Sequence, residues 1–166
     1  MDLNLMRLRA MHPLLPQSTA SEYAQRAAIG LGRHGHSPGV ELKIPLDDQA
    51  RQAWLHWVVT SPANGSQLDF HRVTEDTANA IALALVHVAH GWVVRRRLQR
   101  GEFADWLLVD QDQNLVAMEV SGVNTVDTAL RRCREKVQQV QKCRTPGRKA
   151  ACVVELRPPR SRIMMV

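Results

Sequence analysis

Apolar and polar positions follow two rhythms along this chain, one of helical period and one of strict alternation. Over residues 18–31 alanines recur at helical spacing, Ser18 or Ser21 stands where an N-cap belongs, and Gly32 follows, so a helix is expected there. Residues 33–39 (RHGHSPG) read as a loop from their glycines and proline. Val40, Leu42 and Ile44 alternate and predict a strand over residues 40–46. Residues 47–59 open on two acids and continue with apolar residues at helical spacing, which predicts a second helix. The turn-rich SPANGS at 61–66 then marks the best boundary, between an N-terminal extension (1–72; helix, strand, helix) and a second unit (73–166).

The second unit is patterned more sharply. Thr74 is placed to N-cap a helix with Glu75 and Asp76 in its first turn. Ala78, Ile81, Ala82, Leu85 and Val88–Ala89 form its apolar stripe, and Gly91 ends it. Residues 92–98, 103–109 and 115–120 read as three strands, joined by a turn at 100–102 and a hairpin turn DQDQN at 110–114. Residues 121–124 lead into an amphipathic helix over 126–142, with Leu130, Cys133, Val137, Val140 and Gln141 near one face. A last buried-type strand covers 150–156 before Pro158–Pro159, and the closing PPRSRIMMV reads as an extra edge strand or a docking segment. Short turns make the three strands an antiparallel meander, and the helix after the third sets the fourth parallel to it. The fold class is therefore α/β, a mixed sheet with a helix-strand-strand-strand-helix-strand core and an N-terminal α+β extension.

Composition changes this picture in one respect. The chain has 166 residues, 45% hydrophobic and 23% charged, which suits a folded globular domain. No apolar run reaches the ~18 residues of a membrane span. The N-terminal ten residues lack the apolar stretch of a signal peptide. Three cysteines without C-x-x-C spacing argue against a disulfide scaffold and a structural zinc site, so a cytoplasmic setting is expected. The informative quantity is the distribution of charge. Residues 1–90 carry 7 Lys+Arg against 8 Asp+Glu, a net of −1, while residues 91–166 carry 15 against 8, a net of +7. Arginine supplies 12 of those 15 cations, and its fork suits phosphate, so a nucleic-acid partner is the first expectation; a solvated basic face, or one turned to an acidic protein, is the bland one.

Two acids stand where strands rarely carry them, Asp105 in FADWLLV and Glu119 in LVAMEVSG. A lone carboxylate on a buried strand is costly unless it is paired or holds a metal. If the DQDQN turn is tight, Asp105 faces Glu119 to within a residue. Adjacent strands lie ~4.8 Å apart, so one hard cation can reach both. The structural alternative pairs these acids with arginines such as Arg95–Arg97, or leaves them facing solvent.

The element order, with Asp on the second strand and Glu-x-Ser on the third, resembles the PD-(D/E)XK nuclease-like superfamily over about residues 74–156. The resemblance implies a restriction-endonuclease-like fold and magnesium-dependent (or manganese-dependent) cleavage of DNA or RNA. It assigns Glu75, or Asp76, to the helix acid, Asp105 and Glu119 to the metal, and Ser121 to the position of the motif lysine. A serine hydroxyl brings no positive charge. In the superfamily the basic group sometimes migrates to the next helix, where Arg131, Arg132 and Lys136 are candidates. At 1.5 Å per residue, Arg131 and Arg132 lie ~8–9 Å from the helix start and Lys136 ~15 Å, so the arginines reach more easily. Only a lysine titrates as the motif lysine does. The structural alternative is an Arg131–Glu135 pair at i,i+4 on a solvated helix.

Other groups carry less. His34 and His36 are a metal pair without further ligands, and His87 and His90 share one helix face. Trp54 and Trp57 read as core or interface anchors rather than stacking platforms, since aromatics are only 4% of the chain. Cys133 reads as inert packing. No P-loop, dinucleotide fingerprint or nucleophile elbow occurs. The leading expectation is a nucleic-acid-binding protein with a PD-(D/E)XK-like core, acting as a magnesium-dependent phosphodiesterase, alone or as a homodimer. The alternative is a catalytically inactive relative that binds a protein partner, for example in a defence or toxin–antitoxin system.

Overall fold

The computed structural model describes residues 1–46, 49–59 and 69–166. Eight strands form one mixed sheet. They are β1 (Asp2–Asn4), β2 (Val40–Leu46), β3 (Gln49–His56), β4 (Val93–Arg97), β5 (Trp106–Val109), β6 (Leu115–Val123), β7 (Arg148–Leu156) and β8 (Pro159–Met165). Their order across the sheet is β1-β3-β2-β8-β7-β6-β5-β4. The helices are α1 (Leu8–Met11), α2 (Gln17–Arg33), α3 (Phe70–His90) and α4 (Val126–Gln141). The expected meander is present: β4–β5 and β5–β6 are antiparallel, and α4 carries the chain to β7, parallel to β6.

Alternation along β7 separates the two faces of the sheet. Ala150, Cys152, Val154 and Leu156 join the main core beneath α2 and α3, whereas Ala151 and Val153 face α4. Residues on both sides of position 72 share that main core, from Leu3 and Leu55 to Leu108 and Val154. α3 is buried on every side from Thr77 to Val86, as befits a helix held between a sheet and a second helix. α2 approaches it through Gly30, where an added Cβ would lie 2.2 Å from Thr77 Oγ1. Trp106 fills the space beneath, its indole N–H donating to Asn79 Oδ1 at 2.7 Å.

Several boundaries differ from the sequence reading. Residues 49–56 are a strand, not part of a helix. Ala53, Leu55 and Trp57 are buried while Gln52 and Trp54 are exposed, a period of two that the Trp54/Trp57 spacing conceals. β3 is also the hairpin partner of β2 along its full length, from Val40↔Leu55 to Leu46↔Gln49. The expected start of that helix (47–48) and the SPANGS boundary lie outside the described residues. α2 begins after Pro16, neither Ser18 nor Ser21 caps it, and Gly32 lies in its last turn. α3 starts a turn early because Asp69 is its cap, accepting from His71 N; Thr74 is buried inside the helix and bonds back to Phe70 O. Gly91 does end α3, in the left-handed conformation. Leu130 is exposed, so the buried face of α4 is Ala129, Cys133 and Val140. β8 is an interior strand between β7 and β2 rather than an edge.

Candidate active site

The site forms where β6 outruns β5. The strands pair from Val109↔Leu115 to Trp106↔Met118, and β5 ends there, while β6 continues five residues to Val123. The β6 amides beyond Met118 that face this side have no strand partner, and carboxylates take them. Asp105, next in register opposite Glu119 as the tight turn predicts, accepts from Val120 N at 2.8 Å. Glu75, reaching across from α3, accepts from Gly122 N at 3.2 Å and from the Ser121 hydroxyl at 3.4 Å. Gly122 has no room for a side chain here, since a Cβ would meet Thr74 O at 2.6 Å.

Glu119 is the buried member, with 4% of its side chain exposed. Burial, and then the negative charge of Asp105, push its carboxyl up to about 7 against the opposing pull of Lys136. Burial also raises Glu75, countered by the Gly122 N–H and by Lys136. Lys136 Nζ donates to Glu119 Oε1 at 2.6 Å and to Gln139 Oε1 at 3.1 Å. Glu75, Asp105, Glu119, Ser121 and Lys136 thus converge. A cavity of about 390 Å³ opens onto Asp105 and Glu119, walled by Arg97–Gly101, Phe103, Ala104 and Gln139.

Three candidates fall elsewhere. Asp76 turns to Arg72, at 3.7 Å. Arg131 and Arg132 both bind Glu135, at 2.8 and 3.2 Å, and not the acids of β6. The arginines lose to Lys136 because β6 runs to Val123. A helix running back from there needs more turns before it is level with Glu119. Nor do arginines of β4 neutralise the pair: Arg96 binds Glu102 and Arg97 lies over the Trp106 ring, 5.8 Å from its centre. His34 Nε2 bonds Asn124 Oδ1 at 3.1 Å and His36 Nε2 bonds Leu156 O at 2.7 Å, so these ring nitrogens are committed to the protein. His87 packs edge-on to buried His12, and His90 stacks on Trp92. Trp57 is buried and Trp54 exposed; all three cysteines are free and buried.

Gln139, Arg100 and Phe103 were not signalled by the sequence as parts of a site. Gln139 is legible in retrospect from its i,i+3 spacing to Lys136; the other two sit on a loop whose path no periodicity predicts. Among the described residues no group of three or more His, Cys, Asp or Glu is gathered closely enough to hold a metal by itself. Asp105 and Glu119 are the residues that could hold a hard cation such as magnesium, which binds through one or two carboxylates and keeps several waters. None of the described helices is long and apolar enough to cross a membrane. Comparison with protein-family models, with curated proteins and with solved structures gives no match, so the functional reading rests on the residues themselves.

Proposed function

We propose that this protein binds nucleic acid through its basic second half and hydrolyses a phosphodiester bond at the Asp105–Glu119 pair, in the manner of the PD-(D/E)XK nuclease-like superfamily. The observation that carries the reading is the Lys136–Glu119 contact of 2.6 Å. It supplies from α4 the positive charge that Ser121 does not supply from β6. The helix-strand-strand-strand-helix-strand order and the Asp105–Glu119 register are in keeping with it.

Asp105 and Glu119 would hold a magnesium ion, whose chemistry is to polarise the phosphate and lower the pKa of a bound water. Lys136 places an ammonium beside the reacting phosphate, offsetting the charge that grows there, and orients the attacking water. Gln139 fixes the Lys136 ammonium from its other side. Glu75 fixes Ser121 and the Gly122 amide, and so the part of β6 that carries Glu119. Arginines of the second half supply the salt-sensitive grip on the backbone.

The test is cleavage of labelled single-stranded and duplex DNA and RNA, in magnesium and in EDTA, by wild type, Glu119→Gln and Lys136→Met. Magnesium-dependent cleavage lost in both folded variants is expected. Cleavage unchanged in both variants would overturn the assignment. No cleavage by wild type, with nucleic-acid or protein binding intact, would favour the inactive, partner-binding reading.

A further inference from the structure

The loop that walls the cavity, residues 98–105, is built to display one side chain. Leu98 N donates to Asp105 O at 2.8 Å and closes its base, and Glu102 N donates to Gln99 O at 3.0 Å. Arg96 grips Glu102 with both guanidinium nitrogens, at 2.9 and 3.1 Å. Into this clamped loop the chain puts Phe103, at φ +60° and 44% exposed. A bulky residue is rarely found at positive φ, and such strain persists only where the surroundings impose it. The strain does not serve full burial, because the residue stays 44% exposed while lining the cavity that holds Asp105 and Glu119. Arg100, on the same rim, is exposed and has no acidic partner among the described residues.

An exposed aromatic face beside unpaired arginine and next to a carboxylate pair has a specific use. We propose that this cavity is a subsite for a nucleotide whose base is out of the helical stack: the base lies on Phe103, and Arg100 takes the phosphate beside the one presented to Asp105 and Glu119. The size suits it, since about 390 Å³ falls within the range of small-ligand sites. A base still stacked in a continuous duplex cannot lie on the ring, so the substrate class is single-stranded or splayed nucleic acid. Low aromatic content does not weigh against this, because one fixed ring is enough for one base. The inference rests on the nucleic-acid reading above and narrows it.

The experiment is equilibrium binding in EDTA, where nothing is cut, by fluorescence anisotropy of short labelled DNA and RNA single strands and of the matching duplexes. Wild type is expected to prefer a single strand. Phe103→Gly is expected to lose roughly tenfold of that affinity, the scale of one base–aromatic stack, with duplex affinity unchanged. Glycine is at ease at φ +60°, so its Tm is expected to be no lower than wild type, which separates lost stacking from lost folding. Phe103→Trp keeps a stacking face and is expected to retain the affinity; Phe103→Leu keeps bulk without that face and is expected to lose it. Equal effects on both forms, or none, would overturn the subsite and leave the phosphodiesterase reading standing. No binding of any strand by wild type would overturn both.

Discussion

The ionisation of Glu119 in the metal-free protein is the most exacting check on the site, because two substitutions must move it in opposite directions. Its carboxyl stands at about 7 instead of 4.5, raised first by burial and second by the charge of Asp105, and lowered by Lys136. Asp105→Asn removes the charge but keeps an oxygen to accept from Val120 N. Two unit charges ~4 Å apart repel by about 4 kcal/mol at an effective dielectric of ~20. The water at the cavity mouth and the Lys136 ammonium screen that figure. Because burial is the larger cause, Asp105→Asn is expected to lower the Glu119 carboxyl, by about a tenfold change in proton affinity, while leaving it above the ordinary carboxylate range. Lys136→Met removes the favourable charge and is expected to drive Glu119 above 7. Carbon-detected NMR of side-chain carboxyls against pH, in EDTA, reads both. Shifts of the same sign, or no shift in either variant, would refute the placement of two opposite charges beside one buried carboxyl.

The same carboxyl links stability to pH. The folded protein keeps the Glu119 proton to about pH 7 and the unfolded chain releases it near 4.5. The folded state therefore binds more protons between these values, and the contribution is full below 4.5 and lost as pH rises through 7. Buried His12 works in the opposite sense: its pKa is lowered from 6.5 to about 4, chiefly by burial, so its contribution is full above 6.5 and lost as pH falls through 4. Denaturant unfolding should separate them, Glu119→Gln against wild type gaining relative stability on the alkaline side of that window. Millimolar magnesium is expected to raise Tm more above pH 7 than below it, and to do neither in the Asp105→Ala/Glu119→Ala double variant. Gly30→Ala places a Cβ 2.2 Å from Thr77 Oγ1 between two packed helices; a loss of about 1–3 kcal/mol by urea unfolding is expected. Trp106→Phe leaves Asn79 Oδ1 buried without its 2.7 Å donor and is expected to cost about 1–3 kcal/mol, roughly 2–4 °C of Tm per kcal/mol.

What the sequence made legible was whatever local chemistry decides. The DQDQN turn was readable because Asp110 gathers the loop onto itself, accepting from Asp112 N and Asn114 N, and a tight turn fixes register. That brought Asp105 opposite Glu119 without any tertiary knowledge. β3 was not readable: its two tryptophans at i,i+3 imitate a helical face, and only pairing with β2 decides for the strand. The choice among Arg131, Arg132 and Lys136 turned on three residues at the end of β6. Ending the strand at Val123 rather than Val120 adds about 10 Å of strand, and a helix returning at 1.5 Å per residue needs roughly seven more residues to cover it. Three residues of strand thus decide whether the cation comes from the start of α4 or from its middle. The apolar run from Phe103 predicts a strand from that residue, whereas β5 begins at Trp106. The left-handed backbone of Phe103, next to the Arg96–Glu102 pair, is one that no propensity of a phenylalanine signals.

The position of the site follows from the topology more than from any one residue. A sheet that ended flush, with β5 as long as β6, would satisfy every β6 amide with backbone carbonyls and leave no reason for acids on this edge. Because β5 begins only at Trp106, the Val120 and Gly122 amides would be orphaned, and an orphaned buried amide costs about as much as a lost hydrogen bond. Asp105 and Glu75 meet that need, and in doing so come to rest on either side of Ser121. Structure alone would stop there, with two acids and two amides. Glu119 is the residue the sheet does not require: it is buried, it accepts no β6 amide bond, and it raises the cost of its neighbour's charge. It is tolerated because Lys136 answers it, and such a carboxylate–ammonium pair is weak as a device for stability. On the phosphodiesterase reading proposed above, the charge at Glu119 and Lys136 that the sheet does not require, beside a cavity rimmed by Arg100 and Phe103, is there for chemistry rather than for folding.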